Sequence, residues 1–152
     1  MSEKKISAEK MQEEIMRFKE EYAWISSKNN RYADLVVSIM DSLGMTIEEL
    51  SQAANISTKT VCRIRSGTIK YNGKLREYNP HMKTITAFCI ACELNGLKSM
   101  TLFESLGTGF KKSSKTESAY HYIITNFRGK SVHECNDFLR VIGLPECDLL
   151  GG

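Results

Sequence analysis

Residues 46–67, TIEELSQAANISTKTVCRIRSG, leave the backbone few options. Thr46 followed at the third position by Glu49 is a capping box: the threonine oxygen accepts a free N–H of a first helical turn and the glutamate reaches back to the cap. The run closes at Asn55, a residue that tolerates the left-handed conformation needed for a tight reversal. Ser57 is placed to cap a second helix, and Gly67 to end it. The sequence therefore predicts two short helices held at an angle. Leu50 and Ala53 of the first, with Val61 and Ile64 of the second, are expected to face a core. Thr58, Lys59, Cys62 and Arg63 are left pointing outward.

Helical periodicity extends over most of the chain. Ala8, Met11, Ile15, Phe18, Tyr22 and Ile25 recur at spacings of three and four, an apolar seam on a helix rich in Glu and Lys. It spans too few heptads to define a coiled coil. Such a seam suits packing on the domain behind it, the favoured reading, or pairing with a second copy. Residues 26–30, SSKNN, break the pattern, and RYADLVVSIMDSLG predicts a further helix closed by Gly44. After Gly67, TIKYNGKLREYNPH carries Asn72-Gly73, the signature of a type I′ hairpin. A short two-stranded wing with Ile69, Tyr71, Leu75 and Tyr78 is expected there. Residues 108–118 are polar and basic and read as a linker. Tyr120, Ile123, Ile124 and Phe127 then recur at helical spacing, and Ser131 with Glu134 makes a second capping box before Val132, Cys135, Phe138, Leu139 and Ile142. This C-terminal helical hairpin, 119–152, is too small for its own core and must pack on something.

Composition bounds the function. A charged fraction of 26% with 41% hydrophobic residues is that of an ordinary soluble globular chain, no apolar run approaches the roughly 20 residues of a membrane span, and MSEKKISAEK lacks a signal-peptide core. The expected location is the cytoplasm. Five cysteines, an odd number in such a chain, read as reduced thiols. Cys89 and Cys92 form CIAC, but a zinc site needs about four ligands and no second pair completes it, so both are expected to be buried as small hydrophobes. His121 and His133 are not spaced as metal ligands, HEC at 133–135 is not HExxH, and neither a phosphate loop nor a nucleophile elbow is present. The reading is not an enzyme, with no metal and no cofactor.

Charge is partitioned along the chain. Residues 1–57 have a net charge of −3, 58–115 of +8 and 116–152 of −2. The positive segment is densest at Lys59, Arg63, Arg65, Lys70, Lys74, Arg76 and Lys83. Such a cluster is the footprint of a phosphate-contacting face, because each neutralised phosphate releases counterions. A short helix with a small, polar and basic outer face also fits a major groove about 12 Å wide. Lys70, Lys74 and Arg76 are expected to place the wing along the phosphate backbone.

These features together resemble the helix-turn-helix domain of lambda repressor and Cro-like transcriptional regulators of bacteria or their mobile elements. The resemblance covers 31–105: TIEELSQAANISTKTVCRIRSG for the two motif helices, Asn79-Pro80 opening the next, the run ITAFCIACEL, and Leu102-Phe103 closing a fifth. It implies an all-α fold with a five-helix DNA-binding domain at 31–107, to which the apolar spacings add an N-terminal amphipathic helix at 1–30 and the C-terminal hairpin. It further implies that double-stranded DNA is the partner, bound by a homodimer. Residues 57–66 become the recognition helix. Thr58, Lys59 and Arg63 would reach base edges, with Thr60 also in the contact set. Ser57 would cap and approach a phosphate, Cys62 would act as a spacer, and Arg65 would add positive charge where the family usually has glutamate. Ser51 stands where alanine is usual, Asn55 where glycine is usual, and Ile47 where a phosphate-contacting glutamine is frequent. The alternative is a protein-interaction module, an antitoxin or adaptor, built on the same scaffold.

Overall fold

The computed structural model describes residues 6–26, 31–107 and 109–151, with the side chains of 24–26 excepted. Among these residues the chain is mostly helical, with one small antiparallel sheet. The order is α1 (Ala8–Ser26), α2 (Tyr32–Leu43), α3 (Ile47–Ala54), α4 (Thr58–Ser66), β1 (Thr68–Tyr71), β2 (Lys74–Glu77), α5 (Met82–Ala91), α6 (Gly96–Ser105), α7 (Lys115–Asn126) and α8 (Val132–Val141), then a single 3-10 turn, Glu146–Asp148. No described helix is long and apolar enough to cross a membrane.

The local signals in residues 46–67 produce the expected structures. Thr46 and Glu49 form both halves of the capping box, each bond 3.1 Å long. Asn55 is left-handed at φ +57°, and Ser57 Oγ accepts the Thr60 N–H at 3.1 Å. Gly67 ends α4 at φ +72°. Leu50, Val61 and Ile64 are fully buried, but Ala53 is exposed and Ala54 takes its place in the core. In α3 the buried stripe runs from Leu50 by i+4 rather than i+3, because the core against α3 is built by α4 and α5.

Helix α5 is the centre of the molecule. Every residue from Thr84 to Ile90 is buried, the signature of a helix covered on all sides. It packs on α3, α7 and α8, so the C-terminal hairpin covers one side of α5 while α3 covers another. Cys89 and Cys92 are buried within this core, and removal from water pushes both thiols up to about 12.

Two further expectations are corrected. The segment expected as a linker over 108–118 already enters α7 at Lys115, because Ser114 caps the helix by accepting the Glu117 N–H at 3.2 Å. Its last residues, from Ser114, are the cap and first turn of that helix, while residues 111–113 precede it. Phe110 also docks, with ring centroids 4.7 Å from Phe103 and 5.0 Å from His121. The seam of α1 is not packed inside: Met11, Phe18 and Tyr22 are exposed. Ile25, the last seam position, lies outside the described side chains.

The final residues fold back onto the reversal between α3 and α4. Asn136, buried on α8, accepts the Leu150 N–H through Oδ1 at 2.7 Å and donates Nδ2–H to the Leu150 carbonyl at 3.1 Å. Leu149, Leu150 and Gly151 are buried, and Gly151 lies against the backbone of Asn55. The tail thus braces the α3–α4 turn from behind.

Candidate nucleic-acid interface

Helix α4 presents two different faces. Ser57, Thr58, Lys59, Cys62 and Ser66 are exposed, and Arg63 is half-buried along the same side. Arg63 is held there by an aromatic platform, its guanidinium carbon 5.9 Å from the centroid of the Tyr78 ring. Tyr78 is itself fixed. Its N–H donates to the Gly67 carbonyl at 2.9 Å, closing the base of the wing, and its carbonyl accepts the Tyr32 hydroxyl from α2. Burial, then the neighbouring Tyr78 and Glu77, pushes the Tyr32 hydroxyl up to about 12, so it stays a proton donor. The sequence flagged Tyr78 only as an apolar residue of the wing; no local spacing signals that it would support Arg63.

The wing forms as the Asn72-Gly73 signal requires, with both residues at positive φ (+50° and +75°). Thr68 pairs with Glu77, Ile69 with Arg76, Lys70 with Leu75 and Tyr71 with Lys74. Directly opposed residues share a face, so the register divides the three expected phosphate contacts. Lys74 and Arg76 lie on one face with Tyr71, the Arg76 guanidinium 5.9 Å from that ring's centroid. Lys70 lies on the other face with Leu75. All three are exposed.

Between the outer face of α4 and the first strand lies an open concavity of about 330 Å³, lined by Lys59, Cys62, Arg63, Ser66, Ile69 and Lys70, together with Thr68. Three cations converge on it from two elements, and among the described residues none of the three makes an ion pair with a carboxylate. The surface is therefore positively charged and concave, with Cys62 and Ile69 as its least polar lining.

Of the expected contacts, Ser57, Thr58, Lys74 and Arg76 are exposed but do not line this concavity, and three further cationic or polar residues are engaged elsewhere in the fold. Thr60 is buried, with its hydroxyl 2.9 Å from Ser57 Oγ, so it belongs to the cap. Arg65 is half-buried on the opposite flank of α4, its Nη1 3.5 Å from the Met40 sulfur of α2. Lys83, counted with the basic cluster by sequence, donates to the Cys147 carbonyl at 3.0 Å and anchors the C-terminal tail. Among the described residues no group of three or more His, Cys, Asp or Glu side chains is arranged to hold a metal ion.

No protein family matches the chain, and no curated protein or solved structure is significantly similar to it.

Proposed function

We propose that this chain is a sequence-specific DNA-binding transcriptional regulator of the lambda repressor and Cro type, with residues 31–107 forming its five-helix DNA-binding domain. Helix α4 enters the major groove as the recognition helix and the wing follows the adjoining phosphates. The observation that carries this reading is the concavity between α4 and β1, where Lys59, Arg63 and Lys70 converge beside an exposed helix surface of small side chains. Thr58, Lys59 and Arg63 are the base-reading candidates: Lys and Arg pair with guanine O6 and N7, and threonine contacts either base type. Ser57 stands at the helix N-terminus, where a phosphate is favoured. The regulator acts as a homodimer in the cytoplasm, reading two half-sites about one helical turn apart, and it affects transcription by occupying its operator.

The test is selection of bound DNA from a random pool, followed by titration of the enriched sequence at several salt concentrations beside a Lys59→Ala, Arg63→Ala double variant. The expected result is a palindromic or repeated consensus whose preference over random DNA drops by about 100-fold in the variant, since a side chain paired with a base edge discriminates by roughly 1–3 kcal/mol. Failure to enrich any sequence, with weak binding indifferent to the two substitutions, would reject the reading and turn the search to protein partners of the same scaffold.

A further inference from the structure

Helix α1 carries a seam that nothing described covers. Met11, Ile15, Phe18 and Tyr22 are 45%, 38%, 61% and 61% exposed, all on one side of a helix whose other positions are mostly charged. Phe18 and Tyr22 stack on each other along the seam, with centroids 6.0 Å apart. Helix α1 is tied to α6 near its C-terminal end, where Asn95 Nδ2 donates to the Glu21 carboxylate. A helix face of this size is costly to leave in water, and its charges restrict what can cover it. Glu9, Glu13, Glu14, Glu20 and Glu21 outnumber Lys10, Arg17 and Lys19, so DNA and anionic lipid are repelled.

We infer that the occupant is α1 of a second copy of this chain, aligned in parallel. With Ala8, Ile15 and Tyr22 as the a positions and Met11 and Phe18 as the d positions of a heptad, Glu14 falls at g and Lys19 at e. In a parallel pair the g residue of one helix faces the e residue five positions on in the other. Glu14 then meets Lys19 of the second copy, twice by symmetry. In an antiparallel pair g faces g, which opposes Glu14 to Glu21 and brings like charges together. The helix thus complements itself in one orientation and repels itself in the other. In the single chain Glu14 pairs with Arg17 at 3.1 Å, an exposed contact that exchanges readily for Lys19.

Size sets the strength. The seam spans only about two and a half heptads, a short contact, so the dimer is reversible and populates with rising concentration. This inference deepens the proposed function by naming the dimer surface and rests on that reading for its purpose alone. The assay below contains no DNA, so the two ideas fail separately.

Analytical ultracentrifugation of the full chain, from about 1 to 300 µM, is the test. The native chain is expected to shift from monomer to dimer with concentration, and Phe18→Glu, on an exposed position, to remain monomeric. Glu14→Lys and Lys19→Glu alone each place like charges across both g–e contacts and should weaken self-association about tenfold. An equimolar mixture of those two variants restores opposite charges at both contacts and should associate as tightly as the native chain. A native chain that stays monomeric across the range, a dimer indifferent to Phe18→Glu, or a Glu14→Lys chain that associates as well as or better than the native one would each overturn the inference.

Discussion

Gly151 is the position where one added methyl group should reach furthest. Its φ is +124°, and a Cβ there would lie 2.4 Å from the Asn55 carbonyl oxygen and 3.0 Å from Asn55 Nδ2. Backbone strain in such a region costs about 1–3 kcal/mol for a non-glycine residue. The clash is with main chain, so no rotamer change relieves it, and the tail must lift. Lifting exposes Leu149 and Leu150, at about 1.5–3 kcal/mol each. It returns about 1–2 kcal/mol of backbone freedom for each of residues 149–151. Those two terms nearly cancel, which leaves the pair of hydrogen bonds from Asn136 to Leu150, about 1 kcal/mol each. Gly151→Ala should therefore destabilise the fold by about 2 kcal/mol, seen as a lower urea midpoint or a melting temperature reduced by about 4–8 °C. Gly143→Ala is the control: it too has positive φ, +93°, but its Cβ would meet only the flexible end of Lys115, Nζ, at 3.6 Å. It should cost about 1 kcal/mol. A Gly151→Ala chain within about 0.5 kcal/mol of the native one, the usual scatter for surface substitutions, or no worse than Gly143→Ala, would refute the braced turn.

The turn itself is tested by Asn55→Gly, expected to fall within a few tenths of a kcal/mol of the native chain, against Asn55→Ala, expected to lose about 1 kcal/mol through its left-handed backbone; equal urea midpoints would contradict the assignment. For the wing, Lys74→Ala with Arg76→Ala should reduce the slope of log affinity against log salt by about 2, and Lys70→Ala by about 1, without altering base preference. An unchanged slope places the wing away from phosphate. Thiol labelling at pH 8 should modify Cys62 and Cys147, which are exposed, and spare Cys89 and Cys92, whose thiols at about 12 leave roughly one in ten thousand ionised. Cys135, raised to about 11 by burial, should also be spared until urea unfolds the chain. Native-state labelling of Cys89 or Cys92 at the rate of a free thiol, followed by mass spectrometry, would disprove the packed core around α5.

Much of the fold is legible in the sequence because its decisive signals are short. The capping boxes at Thr46–Glu49 and Ser131–Glu134 each act over three residues. Asn72-Gly73 acts over two, and the apolar spacings of the C-terminal helices act within one or two turns. The outward set Thr58, Lys59, Cys62 and Arg63 follows from the same arithmetic, once Val61 and Ile64 are placed inside. Segment 108–118 is ambiguous by sequence because its capping serine, lysines and threonine are also what a solvated linker contains; its helix is stabilised partly by packing on α5, which lies outside any local window of sequence.

What the sequence by itself determined is where the chain bends and which side of most helices is apolar, since those choices rest on backbone conformation and spacing between near neighbours. Tertiary structure alone decided which cations share a surface. Arg65 is turned to Met40, Lys83 is taken by the Cys147 carbonyl, and Arg63 is set on Tyr78, each across a separation that no helical or strand period spans. It also brought residues 149–151 behind Asn55, from the far end of the chain, where only a glycine fits against the carbonyl. Periodicity cannot encode such meetings, because they depend on how all the apolar faces close around α5 at once.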